Sequence, residues 1–274
     1  MTTDLFRSAR TWALAAAIIA TATLVSAQQK PFTPEVGQPG KDVVWVPTPT
    51  EMVQKMMELA DVTSRDFVID LGSGDGRNII AAAKRGANAL GVEYNPDMVE
   101  LSKRLATEAG VAEKAQFVQG DMFKADFSKA DVLALFLLPS NLLQLRSKFL
   151  ELRPGARIVS NTFFIQDWTP DQTVQLDDCS SWCTASLYIV PAKVDGTWRL
   201  PQGELSIKQT FQMIAGTLTA GGQPQEISGK LRGDEITFTV AGQQYSGVVR
   251  GNQIEGSTST SSGTTRWTAT RSAN

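Results

Sequence analysis

The middle of the chain alternates between short apolar runs and longer segments whose apolar residues recur at helical spacing. The apolar runs have the length of buried strands and lie at 67–71, 89–93, 115–119, 131–138 and 156–163. The intervening segments predict helices at 78–85, 97–109 and 141–152. Strands of continuous apolar character separated by helices favour a parallel sheet with helices on both faces, an α/β fold.

One more helix is predicted ahead of the first strand, in TPTEMVQKMMELA. Thr48 is positioned as its N-cap, Pro49 takes the first helical position and Glu51 completes a capping box. Met52 and Met56 then recur at helical spacing, which indicates packing against the core.

Helical periodicity ends near Asp195, where Gly, Thr, Ser and Gln begin to dominate. Two similar segments, 229–236 and 247–254, each hold Gly-Asp or Gly-Asn between short alternating runs. That arrangement suits a type II′ hairpin turn. We therefore expect residues 195–271 to form a small antiparallel sheet or barrel that acts as an accessory module.

The first 27 residues have the pattern of an export signal. Arg7 and Arg10 precede an alanine-rich apolar run at 12–25, and small residues precede a cleavage site after Ala27. The run has about 14 residues, fewer than the roughly 20 of a spanning helix. We expect export to the periplasm or cell envelope with no stable membrane span; the alternatives are an uncleaved anchor and an ordinary N-terminal helix. Residues 28–43, rich in Pro, Gly and Gln, predict a linker.

The amino-acid composition excludes several kinds of catalytic and binding site. The chain has no histidine, which removes Ser-His-Asp and Cys-His nucleophile systems, HExxH zinc sites and imidazole bases. A net charge of −2 without a Lys/Arg run gives no reason to expect nucleic acid as a partner.

Cys179 and Cys183, in CSSWC, either close a small disulfide ring in an exported protein or remain two thiols in a loop. No metal site is expected, because nothing completes a coordination shell around them.

The stretch VIDLGSGDGR leads from the first strand into a glycine-rich turn, at the sheet edge where α/β proteins bind ligands. It lacks the GxxxxGK[ST] of a P-loop, and Arg77 stands where a dinucleotide fingerprint has a small residue. The spacing of Asp70, Gly72, Gly74 and Gly76 resembles motif I of the class I, seven-strand S-adenosylmethionine-dependent methyltransferases.

Carboxylates at neighbouring strand ends strengthen this interpretation. Glu93 ends the second strand, where it can accept both ribose hydroxyls, and Asp121 follows the third, where it can accept from the adenine amino group. Asp70, beside the glycines, complements the positive charge of the methionine end. Each charged hydrogen bond of this kind contributes roughly 1.5–3 kcal/mol.

The resemblance extends over residues 44–192 and carries more specific segments, VWVPTPTEMVQKMMELA and DVLALFLLPSNLLQLRSKF. They are similar to the protein-lysine methyltransferases that act on the ATP-synthase c-ring protein and the adenine-nucleotide translocase. The resemblance implies a Rossmann-like seven-strand sheet with helices on both faces, ahead of the small C-terminal β domain. It also implies S-adenosylmethionine as the cofactor, held by Pro47, Thr48, Thr50, Asp70, Leu71, Gly72, Ser73, Gly74, Gly76, Glu93, Tyr94, Asp121, Met122 and Leu137.

The implied reaction is methyl transfer to the amine of a protein lysine, with the acceptor channel lined by Thr48, Leu138, Pro139, Asn161 and Phe163. An amine desolvated beside a sulfonium has a lowered pKa, so a dedicated base is not needed, in agreement with the lack of histidine. The (D/N)PP(Y/F) motif of adenine-N6 and glutamine-N5 methyltransferases is replaced by LLPS at 137–140. The family also does not usually carry an export signal or a β-rich tail.

Three alternatives stay open from the sequence. A small-molecule or other N/O-methyltransferase would build its acceptor pocket on the 164–183 insert. A non-catalytic envelope protein would bind S-adenosylmethionine without turnover. A binding module in the β-rich tail would accompany a degenerate methyltransferase scaffold.

Overall fold

Two bodies of secondary structure follow one another along the chain, a seven-strand mixed sheet with helices and an eight-strand closed antiparallel barrel. The computed structural model describes residues 32–201, 203–260 and 263–272. The predicted export signal lies outside these residues. Among the described residues, no helix has both the length and the apolar character needed to cross a membrane.

The sheet contains strands β1 to β7, at Phe67–Leu71, Asn88–Glu93, Ala115–Gln119, Val132–Leu135, Arg157–Asn161, Gln172–Gln175 and Thr184–Ile189. Its helices are α1 to α4, at Thr50–Leu59, Arg77–Lys84, Pro96–Glu108 and Pro139–Phe149. The barrel contains β8 to β15, at Gly196–Leu200, Gly203–Thr210, Met213–Ala220, Gln223–Arg232, Glu235–Val240, Gln243–Arg250, Gln253–Thr260 and Gly263–Arg271.

The strand order of the sheet is β3-β2-β1-β4-β5-β7-β6. The first five strands are parallel, and β7 runs antiparallel to both of its neighbours. The chain leaves β1 towards β2 on one side and later returns to β4 on the other side. This reversal opens a crevice at the carboxyl ends of β1 and β4, the usual ligand position in such sheets.

Alternate residues of the central strands point to opposite faces, as the pleat requires. Val68 and Val132 pack in one core with residues of α1, α2 and α3, whereas Ile69 and Leu133 pack in a second core with α4. The predicted seven-strand sheet with helices on both faces is therefore confirmed.

The start of α1 differs from the sequence prediction. Pro49, with φ −55 and ψ 140, occupies the N-cap position, and no side chain caps the helix. The predicted Thr48 cap is wrong because Thr48 is buried before the helix begins, with its carbonyl accepting from Nη1 of Arg77 at 2.5 Å. The helix after β4, in contrast, begins earlier than predicted, at Pro139, since proline suits the first helical position.

The barrel has a core of its own, built from Trp198, Leu205, Phe238, Ile254 and Trp267 among others. It closes where β15 meets β8, through a short seam in which Thr270 pairs with Arg199 and Arg271 with Trp198. The guanidinium of Arg271 also lies over the Trp198 ring, at 4.4 Å from its centroid. The predicted antiparallel β domain is thus a closed barrel whose interior is filled by side chains.

Two hairpins of the barrel carry the repeated glycine turns. Gly233 has φ +63 and Gly251 has φ +60, each at the first position of a two-residue connection. The residues that follow them, Asp234 and Asn252, do not have positive φ. This combination fits the predicted type II′ turn.

The sheet and the barrel share a packed aromatic contact. Trp168, which follows β5, is fully buried, stacks on Phe211 of the β9–β10 turn at 5.4 Å and meets the edge of Tyr188 at 5.3 Å. Beside it, Nε2 of Gln212 donates to the carbonyl of Thr169 at 2.7 Å. Trp168 therefore belongs to the sheet core and to the junction with the barrel.

Replacing Trp168 by alanine is expected to lower the free energy of unfolding by about 3–5 kcal/mol, because the cavity removes contacts on both sides of the junction. Urea denaturation followed by far-UV circular dichroism measures this loss. Met213→Ala is the matched control, since this side chain of the adjacent hairpin is 52% exposed, and we expect a change within about 0.5 kcal/mol. Equal losses in the two variants would contradict the assignment of Trp168 to the core.

Candidate active site

A cavity of about 310 Å³ lies at the carboxyl ends of β1, β2 and β4. Its floor is formed by strand ends and the residues after them, including Gly72, Glu93, Asp121 and Leu137. Residues 38–46, ahead of α1, form much of the remaining wall and are here termed the covering segment. The volume is at the lower end of the range for small-molecule sites.

The glycine turn after β1 brings bare backbone to this edge. Gly72, Gly74 and Gly76 all have positive φ, between 55 and 80, a conformation that glycine adopts without steric cost. A Cβ on Gly74 would lie only 2.7 Å from Nε1 of Trp45. The residue type at this position is therefore fixed both by the backbone conformation and by the segment that covers the turn.

The carboxylate of Glu93 is held in place by two backbone donors. Gly74 N–H donates to Oε2 and Asn95 N–H donates to Oε1, each at 2.9 Å. Each carboxylate oxygen retains a further acceptor position, and Glu93 lines the cavity. The arrangement suits a ligand that offers two neighbouring hydroxyl donors.

Asp121 lies one strand further along the same edge. Its Oδ1 accepts from Phe123 N–H at 3.0 Å and its Oδ2 from Nζ of Lys41 at 3.1 Å. These two donors lower the pKa of the Asp121 carboxyl, and the bond to Asp121 raises the pKa of Lys41. The ammonium of Lys41 also lies over the Tyr94 ring, 5.2 Å from its centroid. A cation of the covering segment thus closes this side of the cavity.

Asp70 lies beneath the glycine turn, at the end of β1, with 3% of its surface exposed. Nδ2 of Asn78 donates to its Oδ2 at 3.0 Å, whereas Oδ1 has no partner among the described residues. Burial raises the pKa of Asp70 to about 7, and the nearby Glu93 and Asp75 carboxylates contribute to the rise. A buried carboxylate oxygen without a donor is suited to a cationic ligand.

These groups fit the predicted cofactor, S-adenosylmethionine. Glu93 is a paired acceptor for a ribose diol and Asp121 an acceptor for an adenine amino group. Asp70, buried beneath the glycine turn, is a carboxylate that complements a cation at the methionine end. The turn between them carries no Cβ at 72, 74 or 76, so that a ligand can approach its backbone.

The far end of the cavity is apolar and aromatic. Phe136 follows β4, Phe163 follows β5, and Trp182 lies in the loop between β6 and β7; all three line the cavity, together with Leu138. Cys179 and Cys183 form a disulfide across this loop. That bond decides between the two alternatives which the sequence left for the cysteines.

The predicted site residues divide into two groups. The cavity is lined by Gly72, Glu93, Tyr94, Asp121, Met122, Leu137, Leu138 and Phe163. The others lie outside its lining, namely Pro47, Thr48, Thr50, Asp70, Leu71, Ser73, Gly74, Gly76, Pro139 and Asn161. Of these, Asp70, Ser73 and Asn161 each have a buried side-chain atom without a partner among the described residues.

The sequence places the residues that cover the cavity too far along the chain, at Pro47, Thr48 and Thr50, whereas the structure places residues 38–46 there. The composition predicts a linker through residue 43, but Gly37 N–H donates to the carbonyl of Trp45, and Trp45 N–H to that of Gln38, each at 2.9 Å. These bonds close a loop whose residues line the cavity. The only sequence signal for it is the apolar group at 43–46 directly after the Pro- and Gly-rich stretch.

Comparison with known proteins identifies relatives of the sheet-bearing part of the chain. Residues 70–172 match the family described as ANTKMT methyltransferase domain. A protein-lysine N-methyltransferase of Saccharolobus islandicus is 39% identical over 151 residues, which span 54% of this chain and 94% of the relative. The mouse adenine nucleotide translocase lysine N-methyltransferase is 38% identical over 105 residues, 38% of this chain and 46% of that protein. This chain thus spans about half the length of the mouse relative.

A solved structure is also similar. It is described as an RNA methyltransferase from Salinibacter ruber in complex with S-adenosyl-L-homocysteine, and it is 44% identical with a TM-score of 0.51. The likeness covers 54% of this chain and 96% of that one.

Ligand binding is expected to release a proton from the Asp70 carboxyl near neutral pH. Its pKa of about 7 leaves roughly half of the carboxyl neutral at pH 7, and a cation beside Oδ1 favours the ionised form. Binding of S-adenosylmethionine at pH 7 is therefore expected to release about half a proton from Asp70, and affinity should rise between about pH 5.5 and 7.5. Titration calorimetry in two buffers of different ionisation enthalpy measures this release.

Asp70→Asn is the matched variant, since it keeps an acceptor oxygen but cannot ionise. If wild type and variant release the same number of protons, Asp70 is not the linked group. In the absence of ligand, Asp70 also makes stability depend on pH. The folded-state pKa lies above the usual value of 3.8, so the contribution of Asp70 to stability is fully present below about pH 4 and is lost as pH rises through 7.

Proposed function

This chain belongs to the class I, seven-strand S-adenosylmethionine-dependent methyltransferases, and we propose that it transfers a methyl group to the side-chain amine of a lysine in a protein. The lysine assignment is supported by the archaeal relative, a protein-lysine N-methyltransferase matched over 94% of its length. The mouse relative, named for a lysine of the adenine nucleotide translocase, agrees with it.

The proposed cofactor contacts use side chains from neighbouring strand ends. Glu93 accepts from the ribose hydroxyls, Asp121 from the adenine amino group, and Asp70 offers Oδ1 to the cationic methionine end. The backbone donors of Gly74 and Asn95 hold the Glu93 carboxylate in position for this role. When bound, S-adenosylmethionine supplies an electrophilic methyl group on a sulfonium.

The observation that carries the proposal is the apolar acceptor end of the cavity. Phe136, Leu138, Phe163 and Trp182 line it without a carboxylate or hydroxyl among them. Such a wall excludes water and lowers the pKa of an entering amine, so that the lysine loses its proton without a protein base. The complete absence of histidine from the chain agrees with this role.

RNA is the second candidate acceptor, because the Salinibacter ruber structure is described as an RNA methyltransferase. The charge of this chain favours protein instead. Its net charge is −2, whereas an RNA-binding surface normally carries a clear excess of Lys and Arg.

A methylation assay on a cell-envelope extract separates these acceptors. The full chain is incubated with S-adenosylmethionine labelled in its methyl group and with extract that is untreated, acetylated on its lysines, treated with ribonuclease, or passed through a small-molecule filter. We expect label in protein, recovered as methyl-lysine, that ribonuclease leaves unchanged and acetylation removes.

Glu93→Gln is the control enzyme for this assay. Loss of the charged acceptor should weaken cofactor binding about tenfold and lower methylation in parallel, in line with roughly 1.5–3 kcal/mol for a charged hydrogen bond. Label that appears only in RNA, or only in the small-molecule filtrate, would exclude the lysine assignment.

We further propose that residues 1–27 direct export and are removed after Ala27, so that the enzyme works in the periplasm or cell envelope. The disulfide between Cys179 and Cys183 supports this location, because such bonds persist in oxidising compartments. On this proposal the mature chain begins at Gln28 and contains a linker at 28–43, a transferase domain at 44–192 and an accessory β domain at 195–271.

The export proposal predicts the mass of the protein isolated from its own cells. Intact mass spectrometry should give a chain that begins at Gln28, recovered from the envelope fraction. A chain that still begins at Met1 and remains with the cytosolic fraction would contradict it.

A further inference from the structure

The acceptor end of the cavity contains three aromatic rings that face one another, Phe136, Phe163 and Trp182, here termed the aromatic trio. The centroid of Trp182 lies 5.4 Å from that of Phe136 and 6.1 Å from that of Phe163, and the two phenylalanines are 6.1 Å apart. All three rings line the cavity. Aromatic faces attract cations such as an ammonium, most strongly where water is excluded.

Two members of the trio are fixed by the sheet. Phe136 directly follows the last residue of β4. Phe163 comes two residues after the end of β5, and its carbonyl accepts from the hydroxyl of the fully buried Ser160 at 2.8 Å. Their positions therefore follow from the core of the fold.

Trp182 is held differently. It lies outside any strand, between Cys179 and Cys183, and the disulfide closes these five residues into a ring. The ring is anchored to the sheet at one end, where Leu176 N–H donates to the carbonyl of Cys183 at 2.9 Å and Gln175 pairs with Thr184. Most other residues of the loop are exposed.

The backbone of Trp182 is in a conformation that a bulky residue rarely adopts, with φ +61. Left-handed conformations of this kind are unfavourable for side chains other than Gly, Asn and Asp, and persist where the surroundings impose them. At Trp182 the disulfide closes the backbone on both sides of the residue, and the residue lines the cavity.

We propose that the Cys179–Cys183 ring positions Trp182 as the third wall of the acceptor site, so that acceptor binding depends on the disulfide. The proposal rests on the methyltransferase function proposed above. It adds that the disulfide controls the acceptor site and not the cofactor site. Trp182 contacts the acceptor, and the two cysteines are positioning residues.

Reduction opens the ring by a balanced exchange. A dithiol such as dithiothreitol supplies two electrons and two protons, the bond between the two sulfur atoms breaks to leave thiols on Cys179 and Cys183, and the reagent becomes a cyclic disulfide. The chain has no other cysteine, so a reducing agent acts on this bond alone. Without the closure, the backbone at 182 relaxes to negative φ and the indole leaves the trio.

The cofactor end is independent of the ring. Glu93 and Asp121 are oriented by backbone donors of Gly74, Asn95 and Phe123. None of these described bonds involves residues 176–183. Opening the ring should therefore change the acceptor site and leave cofactor affinity as it was.

The experiment compares the full chain in oxidised form, after dithiothreitol, and as the Cys179→Ser/Cys183→Ser variant. Initial methylation rates are measured against increasing amounts of the envelope extract, and the dissociation constant of S-adenosylmethionine by calorimetry. We expect the apparent KM for extract to rise about 5- to 30-fold on reduction and in the serine variant. The cofactor dissociation constant should stay within about twofold, and dithiothreitol should not affect the serine variant.

Trp182→Ala and Trp182→Phe separate an aromatic contact from general structure. The alanine variant should reproduce the high KM even when oxidised, whereas the phenylalanine variant should stay within about threefold of wild type. An unchanged KM after reduction overturns the proposal. So does a cofactor dissociation constant that weakens in parallel with KM, because the ring would then support the whole fold.

A fluorescence measurement tests the positioning without any acceptor. The contribution of Trp182 is the emission of wild type minus that of Trp182→Phe, and acrylamide should quench this contribution more strongly after reduction. Increased quenching in a protein that shows no methyl transfer would reject the proposed function and retain the positioning by the ring. Unchanged quenching would reject the positioning itself.

Discussion

The hydrogen bond from the Gly74 N–H to the Glu93 carboxylate ties the turn after β1 to the end of β2, and the rest of the site depends on it. It requires the two strands in register, with Leu71 opposite Val92, and backbone bonds from Gly72 and Ser73 to the Val92 carbonyl reinforce that register. The turn must also come close to its neighbours. A Cβ on Gly76 would meet the Phe117 ring at 2.6 Å, so β3 packs directly beneath the same turn.

The site departs from the rules that stabilise the remainder of the protein. Asp70 is buried with one oxygen unpartnered among the described residues, and its carboxyl is therefore partly neutral at pH 7. Trp182 has a left-handed backbone. Both features are costly by themselves. Trp182 lines the cavity and Asp70 lies beneath the glycine turn at its edge, whereas the two cores of the sheet are apolar and closely packed.

The sequence predicts those parts of the fold that depend on local patterns. The central strands β1 and β4 are short apolar runs that are almost wholly buried, and the spacing of Asp70 and its three glycines marks the turn that the structure places at the cavity. The strand β6 escapes prediction, because QTVQ is short and mostly exposed and becomes a strand only by pairing with β7.

Long-range contacts explain why the sequence did not predict the roles of other residues. The role of residues 38–46 arises from Trp45 lying over Gly74, and no pattern along the chain records that contact. Trp182 joins the aromatic trio only because three separate loops meet there. Thr48 has the right residue type for a cap, yet burial of the segment and the extended backbone of Pro49 place the helix start beyond its reach.

The short seam between β15 and β8 has a consequence for how this protein behaves when partly unfolded. While the barrel is closed, each of its described strands has a neighbour on both sides. Two residue pairs, the backbone bond from Ser272 N–H to the Thr197 carbonyl and the contact of Arg271 with Trp198 maintain that closure. Separation of the seam would create two unpaired edges at once, on β8 and β15, and each edge is a template for strand addition from another chain. Protection of this protein against self-association is thus concentrated in a few residues at the seam, none of which lines the cavity.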